Sequence, residues 1–293
     1  ALKQLVSMSN TLAPRVILET LLPQLKLAAA YARQIQPMIA ALPAKEPGEN
    51  FFAAALTNAD LSIQNLVEVA LLGTFPQIRF YGEEHEKSYN TQYFRAIDLG
   101  PQDDYLITLD PIDGTQFYLD GHSNYQIILA VLNRDDFEAV VAISPAQNTY
   151  YYAFRGEGAF RGPLEVDLAA CSPLRVGQAK PTVLLGWGLE GLAAKLRERY
   201  EVIAVATSYS KNVQIPNLNG ILTGELSGAV ISSGKFIDGA ALAFLAREAG
   251  CIVTTLNGSP LPPLYTCEDY QLPGLIVASL MSVHQHLLEA AKS

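Results

Sequence analysis

The sequence predicts an α/β protein whose N-terminal half is α+β. Three observations carry that reading. The chain opens with apolar residues at helical spacing, the stretch from residue 78 to 154 breaks into short β-branched or aromatic runs, and beyond Gly162 strand and helix patterns alternate.

Taken in order, residues 16–42 repeat apolar side chains every three or four positions (Leu18, Leu21, Leu22, Leu25), the pattern of a packed helix, with Pro23 expected to interrupt it. Residues 43–50 collect proline, glycine and charge and read as a loop. A second amphipathic stretch, 60–72, carries Leu61, Leu66, Val69 and Leu72. Residues 78–81, 105–109, 125–132, 139–143 and 149–154 then read as strands, and the Gly, Pro, Asn and Asp between them suggest antiparallel hairpins. In the second half, strands are expected at 183–186, 202–206, 229–231, 252–255 and 275–278, and helices at 189–200, 218–226, 239–249 and 283–291. No internal repeat is present. The boundary falls between residues 162 and 181, giving halves 1–170 and 171–293.

With 49% hydrophobic and 17% charged residues in 293, the chain can bury a sizeable core. Its 20 Lys+Arg against 29 Asp+Glu leave a net charge of −9, which argues against a nucleic-acid polymer as partner. The longest apolar runs fall far short of the roughly 20 residues of a membrane span, so no membrane partner is expected. Cys171, Cys251 and Cys267 are odd in number and lack C-x-x-C spacing, which excludes a disulfide scaffold and fits a reducing compartment; the expected location is cytoplasmic. His85, His122, His284 and His286 show no metal-ligand spacing and read as surface residues, and Trp187, following a strand, reads as a packed loop aromatic, with a pocket wall as the alternative.

The densest chemical signal is Asp110-Pro111-Ile112-Asp113-Gly114-Thr115, where an apolar strand delivers two carboxylates, a glycine and a hydroxyl into one tight turn. Oxygen ligands of this kind suit Mg²⁺, and the amides near Thr115 can face an anion. Asp and Gly also serve as plain strand-ending turn residues, so the whole hexapeptide carries the signal rather than any one member. Glu83 and Glu84 follow the strand expected at 78–81; adjacent glutamates that stay ionised beside other acids need a cation. Asp238 and Asp60 each precede or open a helical pattern, where an N-cap is the ordinary role.

Together these elements resemble the inositol monophosphatase family. Asp60 in Thr-Asn-Ala-Asp, Gly82-Glu83-Glu84, Asp110 through Thr115, Arg155-Gly-Glu-Gly-Ala-Phe160, and Ile237-Asp238-Gly followed by Arg247-Glu-Ala-Gly250 stand in that family's order and approximate spacing, from about Ala30 to the C-terminus. The resemblance implies a layered α/β/α/β/α sandwich of the sugar-phosphatase type, an active site between the two halves, Mg²⁺-dependent hydrolysis of a phosphate monoester, and a homodimer. It implies two or three Mg²⁺ ions held by Glu83, Asp110, Asp113, Asp238 and the main-chain carbonyl of Ile112. It also implies direct attack of a metal-bound water oriented by Thr115 and Asp60, with the Gly114 and Thr115 amides on the phosphate. Glu84 is expected near the metals without a defined role.

The departures from the family pattern concern the substrate. Ile237 replaces a Trp, Ile215-Pro216-Asn217-Leu218 replaces a small-residue stretch, and Ser232-Ser233-Gly234-Lys235 stands where an inositol-gripping acid is expected. Ser232, Ser233 and Lys235 are therefore the candidate substrate pocket, with Lys235 suited to a second anionic group. Lys45 is the one nearby candidate for a family lysine. A sugar bisphosphatase, a nucleotide 3′-phosphatase and a non-catalytic metal- or phosphate-binding homologue are the alternatives.

Overall fold

Residues 12–41, 56–84, 97–101 and 103–292 are described by the structure, a computed structural model of the chain. Helix α1 (Pro14–Ile35) starts with Pro14 in its first turn, where a missing N–H costs nothing, and buries Ile17, Leu18, Leu21, Leu22, Leu25, Ala28, Ala29 and Ala32 along one face. Pro23 does not interrupt it. That proline and Glu19, whose carbonyl loses its helical donor, both lie on the exposed side, where water takes over the bond. Helix α2 (Asn58–Thr74) begins with a capping box in which Thr57 and Asp60 satisfy each other's backbone amides.

The first sheet runs in sequence order: β1 (Arg79–Gly82), β2 (Leu106–Asp113), β3 (Gln126–Leu132), β4 (Phe137–Ser144), β5 (Thr149–Phe154), β6 (Gly158–Pro163) and β7 (Ser172–Leu174). All its pairings are antiparallel except β1 with β2, which is parallel. The expected run of hairpins thus fails at its first step: β1 and β2 are joined by a long crossover rather than a tight turn. Strand β6 was hidden in the sequence by Gly158 and Gly162, which look like turn residues. Between β2 and β3 lies the short helix α3 (Thr115–Leu119).

The second sheet contains β8 (Thr182–Leu185), β9 (Glu201–Ala204), β10 (Gly228–Lys235), β11 (Ile252–Thr255) and β12 (Gln271–Ala278), in the order β11-β12-β10-β8-β9. The pairs β10–β8 and β8–β9 are parallel, and β10–β12 and β11–β12 antiparallel. Two expected helices shrink to single turns. Residues 189–200 hold only Glu190–Leu192 and Ala193–Leu196, and 218–226 only Gly220–Thr223, which Gly224 ends at φ +79°.

Helix α4 (Gly239–Glu248) lies between the sheets, touching β10, β11 and β12 on one side and β4, β5 and β6 on the other. It can do so because residues Ala240 to Ala246 are apolar all round and rich in alanine, and all seven are buried. Helices α1 and α2 cover the outer face of the first sheet, and α5 (Met281–Lys292) covers the second. The layers are therefore α/β/α/β/α, as the resemblance implied. Three apolar cores fill the spaces between them, and the central one draws on both sheets and α4. No helix among the described residues is long and apolar enough to cross a membrane.

Candidate metal centre

The site starts from an irregularity in β2. Its pairing with β3 is regular to Asp110, opposite Ile128, and resumes only at Asp113, opposite Gln126. Pro111 has no N–H to give, so the ladder skips there. Gly114 then takes φ +83° at the N-terminus of α3, and a Cβ on it would lie 2.8 Å from Phe117 Cδ2. Only glycine meets both demands.

This turn and the start of α4 bring three acids together. One carboxylate oxygen from each of Asp110, Asp113 and Asp238 lies within 4.8 Å of the other two. Asp110 is buried, and Asp113 and Asp238 are half-buried. Asp238 also accepts from the Gly239 N–H, so it caps α4 and faces the cluster at once.

The electrostatics of the cluster are unfavourable by themselves. Burial raises the Asp113 carboxyl above its usual range; amide hydrogen bonds from Gln126 and Asn217 and the nearby Lys235 charge oppose this, while Glu83 adds to it. Asp238 is pushed up to about 7, first by burial and then by the Asp113 charge, with Lys235 and the Gly239 amide pulling the other way. A divalent cation removes this conflict. An all-oxygen donor set spread over 4.8 Å is near the separation of about 4.2 Å between opposite ligands of an octahedral Mg²⁺ with Mg–O about 2.1 Å, so the residues fit such an ion.

Glu83 stands beside this cluster rather than in it. Its N–H donates to the Leu109 carbonyl at 2.9 Å, which places it next to Asp110, and its charge is felt by both Asp113 and Asp238. Its carboxylate is not among the three that share the 4.8 Å spacing. Glu84 is buried behind it, and its N–H donates to Gln64 Oε1 at 2.9 Å. A Cβ on Gly82 would sit 2.4 Å from that same Gln64 oxygen, so the glycine makes room for the amide that fixes this turn.

Asp60 is fully buried at the other side of the turn. Its Oδ2 accepts from the Thr57 N–H at 2.8 Å and the Thr57 hydroxyl at 2.6 Å, and its Oδ1 faces the Thr115 hydroxyl at 3.1 Å. The Ile112 carbonyl lies 2.8 Å from the same Thr115 hydroxyl, whose single hydrogen is thus shared between two acceptors.

Asn217 and Gln126 are site residues that the sequence did not disclose. Their side-chain amides donate to Asp113 Oδ2 at 2.9 and 2.8 Å, and Asn219 donates to Gln126 Oε1 at 3.0 Å. The signal available was only a pair of asparagines in an atypical stretch, too common to read without the fold.

Of the candidate pocket residues, Ser232 and Ser233 line a cleft of about 220 Å³ that also contains Asp113 and Asp238. Lys235 is not part of its lining, although its charge reaches both acids. Trp187 is half-buried and lines the cleft, which matches the pocket-wall alternative rather than a packed loop aromatic. His122 and His284 are buried rather than on the surface, held by the Lys211 carbonyl and the Thr254 hydroxyl, each at 2.8 Å. Lys45 and His85 lie outside the described residues.

Three clustered acids in a layered α/β/α/β/α fold are what the resemblance to one family implied, and comparison with known proteins assigns that family. The chain belongs to the inositol monophosphatase family, which it matches over residues 24–293. It is 28% identical over 161 residues to a putative Nus factor SuhB of Neisseria meningitidis, a match covering 53% of this chain and 59% of that protein, so it spans little more than half of that relative's length. It is 28% identical over 249 residues to the inositol-1-monophosphatase ImpA of Mycolicibacterium smegmatis, covering 81% of this chain and 80% of that one. The solved IMPase of Thermotoga maritima shares the fold with a TM-score of 0.70 at 18% identity, over 92% of this chain and 94% of the other.

Proposed function

We propose that the chain is a Mg²⁺-dependent phosphoric monoester hydrolase that acts on a small phosphate ester by direct attack of water. The observation that carries this is the three-acid cluster of Asp110, Asp113 and Asp238, which joins the first sheet to the start of α4 and is destabilised without a cation. In this reading residues 1–170 supply Glu83 and the Asp110–Thr115 turn, residues 171–293 supply Asp238, and the site lies between them. Glu83, Asp110, the Ile112 carbonyl, Asp113 and Asp238 would hold two or three Mg²⁺ ions. When bound, these supply Lewis-acid stabilisation of the phosphoryl charge and a lowered pKa for the attacking water.

The chain's own groups do the positioning. The Gly114 and Thr115 amides, at the start of α3, bind the phosphate oxygens. Thr115 donates to Asp60, which leaves lone pairs of its hydroxyl oxygen to accept from the attacking water, and Asp60 takes up the displaced proton. Thr57 fixes Asp60 from behind, so that Oδ1 stays aimed at Thr115. Water oxygen bonds to phosphorus as the phosphorus–alkoxide bond breaks, and the alkoxide takes a proton from solvent water, yielding the alcohol and inorganic phosphate, while Asp60 later returns its proton to solvent. The enzyme works as a cytoplasmic homodimer in this reading. The intact acids, Asp60 and Thr115 favour it over a non-catalytic homologue. A phosphate-release screen over inositol phosphates, sugar bisphosphates and nucleoside bisphosphates, with Mg²⁺ and with EDTA, tests it; no Mg²⁺-dependent release from any ester would overturn it.

A further inference from the structure

The cleft that opens from Asp113 and Asp238 has an unusual wall for a site that would receive a sugar or an inositol. Its polar side chains are few and partly committed. Asn217 donates to Asp113 and to the Asn124 carbonyl, and its own oxygen accepts from the Leu218 N–H at 2.6 Å. Ser232 is turned to the Trp187 carbonyl at 3.4 Å. Ser233 lines the exposed edge beside Ser232; the rest of the wall among the described residues is Trp187, Val205 and Ile231, all half-buried, over a floor of Leu184, Leu218 and Leu242.

Ile231 shows how close this apolar wall comes to the acids. A Cβ on Gly239, the residue next to Asp238, would lie 2.9 Å from Ile231 Cδ1, and one on Gly186 would lie 3.3 Å from Ile231 Cγ2. Two glycines therefore admit an isoleucine whose Cδ1 methyl packs on the backbone of the residue next to Asp238, in the same cleft as Asp113 and Asp238. The substrate's alcohol, bonded to a phosphate at those acids, would have to leave across this surface.

We propose that the preferred substrate is a phosphate monoester whose alcohol carries an apolar body about the size of one six-membered ring, seated against Trp187, Val205 and Ile231. The proposal rests on the phosphatase reading above and specifies its substrate class. The volume fits, since an apolar cavity of about 150 Å³ takes up a benzene ring and this cleft holds about 220 Å³. The chemistry fits as well. A ring hydroxyl placed against Trp187, Val205 and Ile231 loses its hydrogen bonds to water with no polar side chain on that face to replace them, Ser232 and Ser233 lying at the exposed edge, whereas a ring methylene gains by leaving water. Lys235 does not line the cleft and so offers no cationic anchor there for a second anionic group on the body.

The test compares cyclohexyl phosphate with myo-inositol 1-phosphate, which share a six-membered ring and a secondary phosphate and differ in five hydroxyls. Affinity is read by ligand-dependent thermal shift with Mg²⁺, and turnover by phosphate release. Cyclohexyl phosphate should show an apparent Kd and KM lower by about tenfold or more. Trp187→Ala should raise its Kd by about fivefold while leaving that of inositol 1-phosphate within about twofold. Trp187 sits between two glycines in a half-exposed loop; Ile231→Asn provides an independent wall variant that should narrow the preference. Equal or tighter binding of inositol 1-phosphate, or of a hexose bisphosphate, overturns the proposal even if all are hydrolysed. Selective binding of cyclohexyl phosphate with no turnover of any ester supports the pocket and overturns the phosphatase reading instead.

Discussion

Replacing Asp238 by Asn should stabilise the metal-free protein most at pH 8, less than half as much at pH 5, and hardly at all below about pH 4. The carboxyl of Asp238 stands at about 7 in the folded chain against an ordinary value of 3.8. A raised acid pKa means that the folded state holds the proton more tightly than the unfolded one, so the contribution is fully present below about pH 4 and is lost as pH rises through 7. Three pKa units at about 1.4 kcal/mol each set an upper bound of roughly 4 kcal/mol on the loss by pH 8. For a chain of this length that corresponds to a fall in Tm of up to about 8 °C. An asparagine at this position would keep the oxygen that accepts from the Gly239 N–H, so the cap of α4 survives while the charge is removed.

Thermal melts in EDTA and in Mg²⁺ across pH 5 to 8 measure the effect. Wild type in EDTA should lose stability over this range and recover it on Mg²⁺ addition, most strongly at pH 8; Asp238→Asn should flatten the EDTA profile and blunt the Mg²⁺ response. An Asp238→Asn chain that melts below wild type in EDTA at pH 8 would show that the acids are not in conflict, and the reason for placing a cation among them would fall.

Thr115→Ala should lower kcat by about a hundredfold or more while the Mg²⁺-dependent rise in Tm persists, because the hydroxyl that links water to Asp60 is lost and no ligand charge is; an unchanged kcat removes the Asp60–Thr115 pair from the reaction. Asn217→Ala takes away one of two amide donors on Asp113 Oδ2 and should raise the Mg²⁺ concentration for half-maximal Tm shift by about tenfold, the effect expected of a group that orients a ligand. Gly114→Ala forces an alanine to φ +83° and a Cβ against Phe117, and should cost about 1–2 kcal/mol in urea unfolding together with most of the activity.

Most of the elements and the acidic turn were legible in the sequence because local pattern determines them, whereas the layering came only from the resemblance to the inositol monophosphatase family. Helical spacing announced α1 and α2, strict β patterns announced β3 to β5, and the Asp110–Thr115 turn is one continuous segment whose chemistry does not depend on distant residues. What failed was set by tertiary context. Pro23 stays inside α1 because its ring faces water, and β1 pairs in parallel because a crossover, not a hairpin, returns the chain to β2. The amphipathic stretches at 189–200 and 218–226 form only single turns, with Gly191 in one and Gly224 ending the other. Gln126 and Asn217 could not be picked out, since an amide that orients a carboxylate is indistinguishable in sequence from one that meets solvent.

The cleft wall was invisible for a related reason. Leu184, Trp187, Val205, Leu218, Ile231 and Leu242 come from five separate stretches of the second half, and all but the loop residue Trp187 read as ordinary core residues of a strand or helix. Those five belong to or pack against the central core and border the cleft that opens on the acids. This separates the two parts of the site physically. The acids are unfavourable together and are held by a short rigid turn and a buried helix cap, so changing one disturbs metal and fold alike. The wall is a margin of the central core, where an apolar side chain can be exchanged for another of similar volume at a cost of about 1.5 kcal/mol or less without touching a ligand. In the proposed reaction, substrate choice can therefore change through residues that no metal motif contains, with the wall of Trp187, Val205 and Ile231 rather than the acid cluster selecting the alcohol.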